Sequence, residues 1–154
     1  MQATLYHRYG GPEVLETAEI PKPQPKAHEL LVRVHAASVS VGSVIMRSGK
    51  HPDSVFFSFM IKLIGGWPKP RKKVLGYEFS GVIEAIGGKV KGYRVGDEVY
   101  GTTTGLSQGA YADYVCVPEN WKQGVVARKP DNLSFEEAAA LPVGAMTALH
   151  LWKK

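Results

Sequence analysis

One cysteine, Cys116, stands in 154 residues. Its isolation excludes a disulfide framework and any zinc site built on two or more thiolates of one chain. No apolar run spans a bilayer: the longest, Val55 to Ile64, contains Ser58 and Lys62 and is too short. The N-terminus has no charged-then-apolar signal segment, so a cytoplasmic location is the expectation. No Gly-x-Gly-x-x-Gly occurs, and Gly87-Gly88-Lys89 follows Ile83 where a phosphate-binding loop requires glycine. The five histidines, His7, His28, His35, His51 and His150, have no paired helical or hairpin spacing, so no metal site is expected. The net charge of +5 is spread along the chain apart from one tight cluster, Lys69, Arg71, Lys72 and Lys73. No recognition helix or repeated basic–aromatic pattern accompanies that cluster, which reads as solvated lysines flanking a strand. Neither a nucleic-acid nor a membrane partner is expected.

What is present reads first as strands. Ala3 to Tyr9, Val14 to Ile20 and Leu30 to Ala37 are separated by Gly10-Gly11-Pro12 and by a turn rich in proline at Pro21, Pro23 and Pro25. In the third strand Leu30, Val32, Val34 and Ala36 share one face, with Arg33 and His35 on the other. Ser40 to Ser48 predicts a short helix ended by Gly49, whereas the state of the aromatic run Val55 to Ile61 stays open. Val74 to Gly87 predicts a long strand in which Gly76 and Gly81 mark bends or close backbone approach. Val95 to Gly101, Gly109 to Pro118 and Val125 to Ala127 complete the set. Many short strands, glycine-rich corners and little helix favour a closed or partly closed barrel.

The character changes at Ser134. Ser134 and Glu137 have the spacing of a capping box, an alanine-rich helix follows, and Pro142 is expected to end it. A second helix then carries Val143, Met146, Leu149 and Leu151 near helical spacing, an apolar face that needs something to pack on. Two regions are therefore expected, 1–132 as the barrel and 133–154 as a helical segment leading toward a further domain. The sequence reads as the first part of something larger.

A set of ordered stretches covers nearly the whole chain: Gly10-Gly11-Pro12-Glu13-Val14-Leu15, Val34 to Val39, Arg47-Ser48-Gly49, Leu75 to Glu84, Gly96-Asp97-Glu98-Val99-Tyr100-Gly101, Gly109 to Tyr114, and Leu133 to Leu151. On these the chain resembles the N-terminal catalytic domain of the medium-chain dehydrogenase/reductase superfamily, and within it the zinc-free quinone-oxidoreductase-like branch. The resemblance implies a mainly β fold, a GroES-like, partly open β-barrel with short helices, whose C-terminal helices lead to a Rossmann domain outside these residues. It implies NADP(H) or NAD(H) held largely by that Rossmann domain, with weak or no binding by these residues alone. The family's zinc ligands correspond here to Ser40 and Tyr77, a hydroxyl and a phenol that do not replace thiolate and imidazole. No zinc is therefore expected.

The same resemblance nominates site residues. Thr147 matches a threonine beside the nicotinamide; the alternative is a helix threonine bonded to its own backbone. Ser40 and Ser43 stand where the branch often has Asn and Asp, and Ile45 where Tyr is frequent. Ser40 is carried as cofactor-binding, and Ser43, Tyr77 and Glu78 as catalytic. Tyr77 is either a substrate-wall aromatic and proton donor or a packed strand tyrosine. Glu78 is either a cleft carboxylate or a structural charge. The implied reaction is hydride transfer to a quinone, enone or carbonyl small molecule. The competing reading is a truncated or stand-alone barrel used for binding or assembly, with self-association through the apolar helix face.

Overall fold

The computed structural model describes residues 1–103, 109–120 and 125–153. At its centre two nine-residue strands, β3 (Glu29–Ala37) and β4 (Glu78–Ile86), pair antiparallel. The flanking strands are β5 (Glu98–Thr102), β6 (Tyr114–Pro118) and β7 (Val125–Arg128), giving the sheet order β6-β3-β4-β5-β7, antiparallel at every step. Register shifts between Leu31 and Val32 and between Val34 and Ala36 add twist, and the sheet curls into a half-barrel. Gly81 sits opposite Val34 in this region, where a Cβ would run into the Arg33 carbonyl. The interior is filled by Leu30, Val32, Phe79, Ile83, Val99, Val115 and Val117. A separate hairpin of β1 (Gln2–Tyr6) and β2 (Leu15–Glu19) joins the body through bridges from Ala3 to Ala112 and from Leu5 to Val74.

Several elements differ in extent from expectation. The strand expected from Val74 starts at Glu78, because Gly76 takes φ +97° and the Leu75 and Gly76 carbonyls accept from Tyr111 and Gly109 instead of a ladder neighbour. The strand expected from Gly109 starts at Tyr114; residues 109–113 lie across Leu75-Gly76 and β1, with Thr4 N–H donating to the Tyr111 carbonyl at 2.8 Å. The open aromatic run is a helix, α2 (Val55–Gly65), preceded by α1 (Val41–Ser48). Gly49 closes α1 with φ +63°, the left-handed cap that glycine adopts without Cβ strain.

At the C-terminal side, α3 (Phe135–Ala140) carries both bonds of the capping box: Ser134 Oγ accepts from Glu137 N–H at 3.1 Å, and Ser134 N–H donates to Glu137 at 2.8 Å. It packs on the sheet, where Phe135 stacks on His35 at 4.4 Å and Ala138 and Ala139 are buried. Pro142 does not merely end α3; it is the first residue of α4 (Pro142–Trp152). A proline at the first helical position gives up no bond, since that N–H has no intrahelical partner. Lys154, the last residue of the expected helical segment, lies outside the described residues.

Candidate functional site

The expected site residues fall on α1, on α4 and at the start of β4. Glu78, the first residue of β4, is buried, and its carboxylate meets two donors. Oε1 accepts from the Val143 N–H at 2.8 Å, and Oε2 accepts from the Ser38 hydroxyl. Val143 is the second residue of α4, so its N–H is one of the four that a helix start leaves without an intrahelical acceptor. A carboxylate there also faces the positive end of the helix dipole. Glu78 thus ties α4 to the barrel.

Ser38 is fixed in turn by Tyr111, whose hydroxyl donates to the Ser38 carbonyl at 2.9 Å. Beside Glu78, the Tyr77 carbonyl accepts from Thr103 N–H at 2.6 Å, and the Thr103 hydroxyl reaches the Gly76 carbonyl at 3.1 Å. Thr103 is fully buried. Ser38, Thr103 and Tyr111 were not foreseen; the partners lie 26 to 73 residues apart in sequence, and no local pattern signals them.

The Tyr77 ring lies against α1, 3.7 Å from where a Cβ on Gly42 would stand. Ser40 occupies the N-cap of α1 yet makes no side-chain cap bond. Ser43 is buried on the first turn, and its hydroxyl has no hydrogen-bond partner among the described residues. An orphaned buried hydroxyl is destabilising, and a ligand or water is its usual remedy. Thr147 lies on α4, four residues beyond Val143, and its hydroxyl donates to the Val143 carbonyl at 2.7 Å. That bond consumes its one donor and leaves the exposed oxygen as an acceptor. Thr147, Glu78 and Val143 are therefore linked through α4, while Ser40, Gly42 and Tyr77 form a second group on α1.

Beside Tyr77, α1 and α2 border an open cleft of about 410 Å³ lined by Met46, Phe56, Phe57, Met60, Ile61, Ile64 and Tyr77. Phe57, Met60, Ile61 and Ile64 recur at the spacing of one helix face, a signal present in the sequence once the run is read as helical. Among the described residues no three His, Cys, Asp or Glu side chains cluster as a metal site requires, and no helix is long and apolar enough to cross a membrane.

Cys116 stands apart from this site, on β6, where burial pushes its thiol up to about 11. Only the thiolate is nucleophilic, so Cys116 is protonated at neutral pH. Alkylation by iodoacetamide in the native state is expected to be slow at pH 7 and to accelerate about tenfold per pH unit up to pH 10. A rate that levels off below pH 9 would show an unshifted thiol.

A curled half-barrel of antiparallel strands with short helices packed on it is the architecture of a GroES-like domain. Residues 26–131 match the model of the alcohol dehydrogenase GroES-like domain, and the chain belongs to that family. Its relatives place it on the quinone-oxidoreductase-like branch of the medium-chain dehydrogenases/reductases. The chain is 35% identical to the 2-methylene-furan-3-one reductase of Solanum lycopersicum, over 96% of this chain and 36% of that protein. The solved quinone oxidoreductase of Coxiella burnetii superposes with a TM-score of 0.81 at 30% identity, over 99% of this chain and 44% of the other. The Escherichia coli quinone oxidoreductase complexed with NADPH gives 0.77 at 27% identity, over 100% and 41%. The chain spans 30 to 39% of the length of the curated relatives it matches.

Proposed function

We propose that these residues form the substrate-facing part of a zinc-independent, NAD(P)H-dependent oxidoreductase that reduces a quinone, enone or carbonyl. The observation that carries this reading is the apolar pocket walled by Tyr77 beside a helix, α4, whose start is held by Glu78. The kinship with quinone oxidoreductases, one of them complexed with NADPH, supports it. The dinucleotide, when bound, supplies the hydride. The exposed Thr147 oxygen fits the donor of a nicotinamide carboxamide, since its own proton is already committed to the Val143 carbonyl. The Ser40 hydroxyl, unused as a cap, fits a further contact to the cofactor. The apolar walls exclude water from the transfer, and the Tyr77 hydroxyl delivers the proton that the reduced oxygen needs. Ser43, whose buried hydroxyl has no hydrogen-bond partner among the described residues, fits an internal water near the first turn of α1. The Ser40 and Tyr77 side chains do not suit zinc.

The dinucleotide's phosphates need a glycine-rich turn at a helix start, which this sequence lacks and which we assign to a Rossmann domain partner. The 154 residues alone are expected to bind NADPH more weakly than micromolar by calorimetry. Fused to a Rossmann domain of the same branch, they are expected to oxidise NADPH with a quinone or enone. Thr147→Val should then lower turnover about tenfold with an unchanged melting temperature. A folded fusion that binds NADPH but reduces no acceptor would refute the oxidoreductase reading. The exposed α4 residues Val143, Met146, Leu149 and Leu151 favour a second reading, an assembly module. A concentration-dependent dimer with no redox activity in the fusion would establish it.

A further inference from the structure

α2 is the least explained element of the fold. It is apolar apart from Ser58 and Lys62, which share one face, yet none of its residues is buried. A helix of this composition normally covers a core. Here one face, Phe57, Met60, Ile61 and Ile64, stands off from Met46 of α1 and leaves the pocket of about 410 Å³ beneath it.

Polar bonds fix both ends of α2. At the start, Ser54 Oγ accepts from Phe57 N–H at 3.2 Å, and the Ser58 hydroxyl donates to the Ser54 carbonyl at 2.8 Å while accepting from His51 N–H at 2.8 Å. At the end, Arg71 N–H donates to the Gly65 carbonyl at 2.8 Å, and the Tyr9 hydroxyl donates to the Gly66 carbonyl at 2.7 Å. The bonds at the start lie within residues 51–58 and move with α2, whereas the Tyr9–Gly66 bond ties the end of the helix to a distant part of the chain. An apolar cleft of this size, open to solvent on one side, lies within the range of small-molecule sites.

The lining also fixes the chemistry of the occupant. Among the described residues Tyr77 brings the one polar side chain of the lining, at the end nearest α1, and no charged side chain lines the pocket. Lys62, the one cation on α2, lies over the Tyr9 and Trp67 rings instead. A charged or strongly hydrated ligand would lose its water there without compensation.

We infer that the α1–α2 pocket is the subsite for an uncharged lipophilic substituent, an alkyl chain or fused ring, so that the acceptor is a lipophilic one with its reducible oxygen at the Tyr77 end. The placement of the oxygen rests on the oxidoreductase reading; the affinity of the pocket for apolar groups does not.

The test is direct binding to the 154-residue chain without cofactor. N-phenyl-1-naphthylamine, an uncharged fluorophore, should bind with a fluorescence gain. 2-Alkyl-1,4-naphthoquinones should displace it, with affinity rising about fourfold per added methylene until the pocket is full. Met60→Asp, which puts a charge in the wall, and Met60→Trp, which fills the space, should each weaken binding at least tenfold with an unchanged circular dichroism spectrum. Leu149→Asp on α4 should change it less than twofold. Absence of probe binding, affinity independent of alkyl length, or equal loss in the Leu149 variant would overturn the inference. None of these readouts uses NADPH turnover, so failure of the oxidoreductase reading and failure of the subsite are seen separately.

Discussion

Phe79→Ala is expected to lower the unfolding free energy by about 3–5 kcal/mol, measured as a shift of the urea midpoint at unchanged slope. Phe79 is fully buried in the sheet interior. Its direct cross-strand neighbours are Ala37 on β3 and Gly101 on β5, which share its face of the sheet. The ring fills the space that these two small residues leave. Neither can swell into the void after truncation, and the Gly101 backbone is held by ladders on both sides. Gly101 is further pinned because a Cβ there would meet the Val125 carbonyl. With little room to relax, the cost lies toward the upper part of the range, against a total stability of about 5–15 kcal/mol for a domain. A loss below about 1 kcal/mol would mean that the sheet closes over the gap and that Phe79 is not its centre.

The barrel was legible where one face of a strand is buried and the other wet. Arg33 and His35 are exposed beside buried Leu30 and Val32, and alternation alone identifies β3. Leu31 is buried as well, next to a register shift, and alternation gives no warning of it. The capping box at Ser134 and the glycine cap at Gly49 were legible because each is set by bonds within a few residues. α2 was not, because a continuous apolar run fits a buried strand as well as a helix. What decides it is the Ser54 cap. Strand starts at Glu78 and Tyr114 were misplaced for a related reason: the crossing of Leu75-Gly76 by residues 109–111 is a long-range contact that displaces the ladder. At the candidate site Tyr77 and Glu78 were nominated by resemblance, but their division of labour was not readable. Tyr77 walls the α1–α2 pocket, whereas Glu78 binds Ser38 and α4. Those partners lie 40 and 65 residues away.

Glu78→Ala is expected to cost about 2–4 kcal/mol and to release α4 from the barrel. Removal of the carboxylate strands two partly buried donors at once, the Ser38 hydroxyl and the Val143 N–H, and a donor left unpaired costs about 1–3 kcal/mol where water cannot reach it. α4 has little else to hold it, since all of its described residues after Pro142 are exposed. Its amides should therefore lose hydrogen-exchange protection more than those of β3 and β4, whose ladder is intact. Glu78→Gln separates geometry from charge. The amide oxygen can accept from Val143 while the amide nitrogen donates to Ser38 Oγ, so both partners are kept. Only the charge at the helix start is lost, a change of about 0.3–1 kcal/mol. In a fusion with a Rossmann domain, Glu78→Ala should reduce turnover along with α4 protection, because Thr147 moves with that helix, and Glu78→Gln should retain most of both. If Ala and Gln variants keep equal α4 protection, the carboxylate is not what fastens the helix, and a direct role for Glu78 in the cleft becomes the better account.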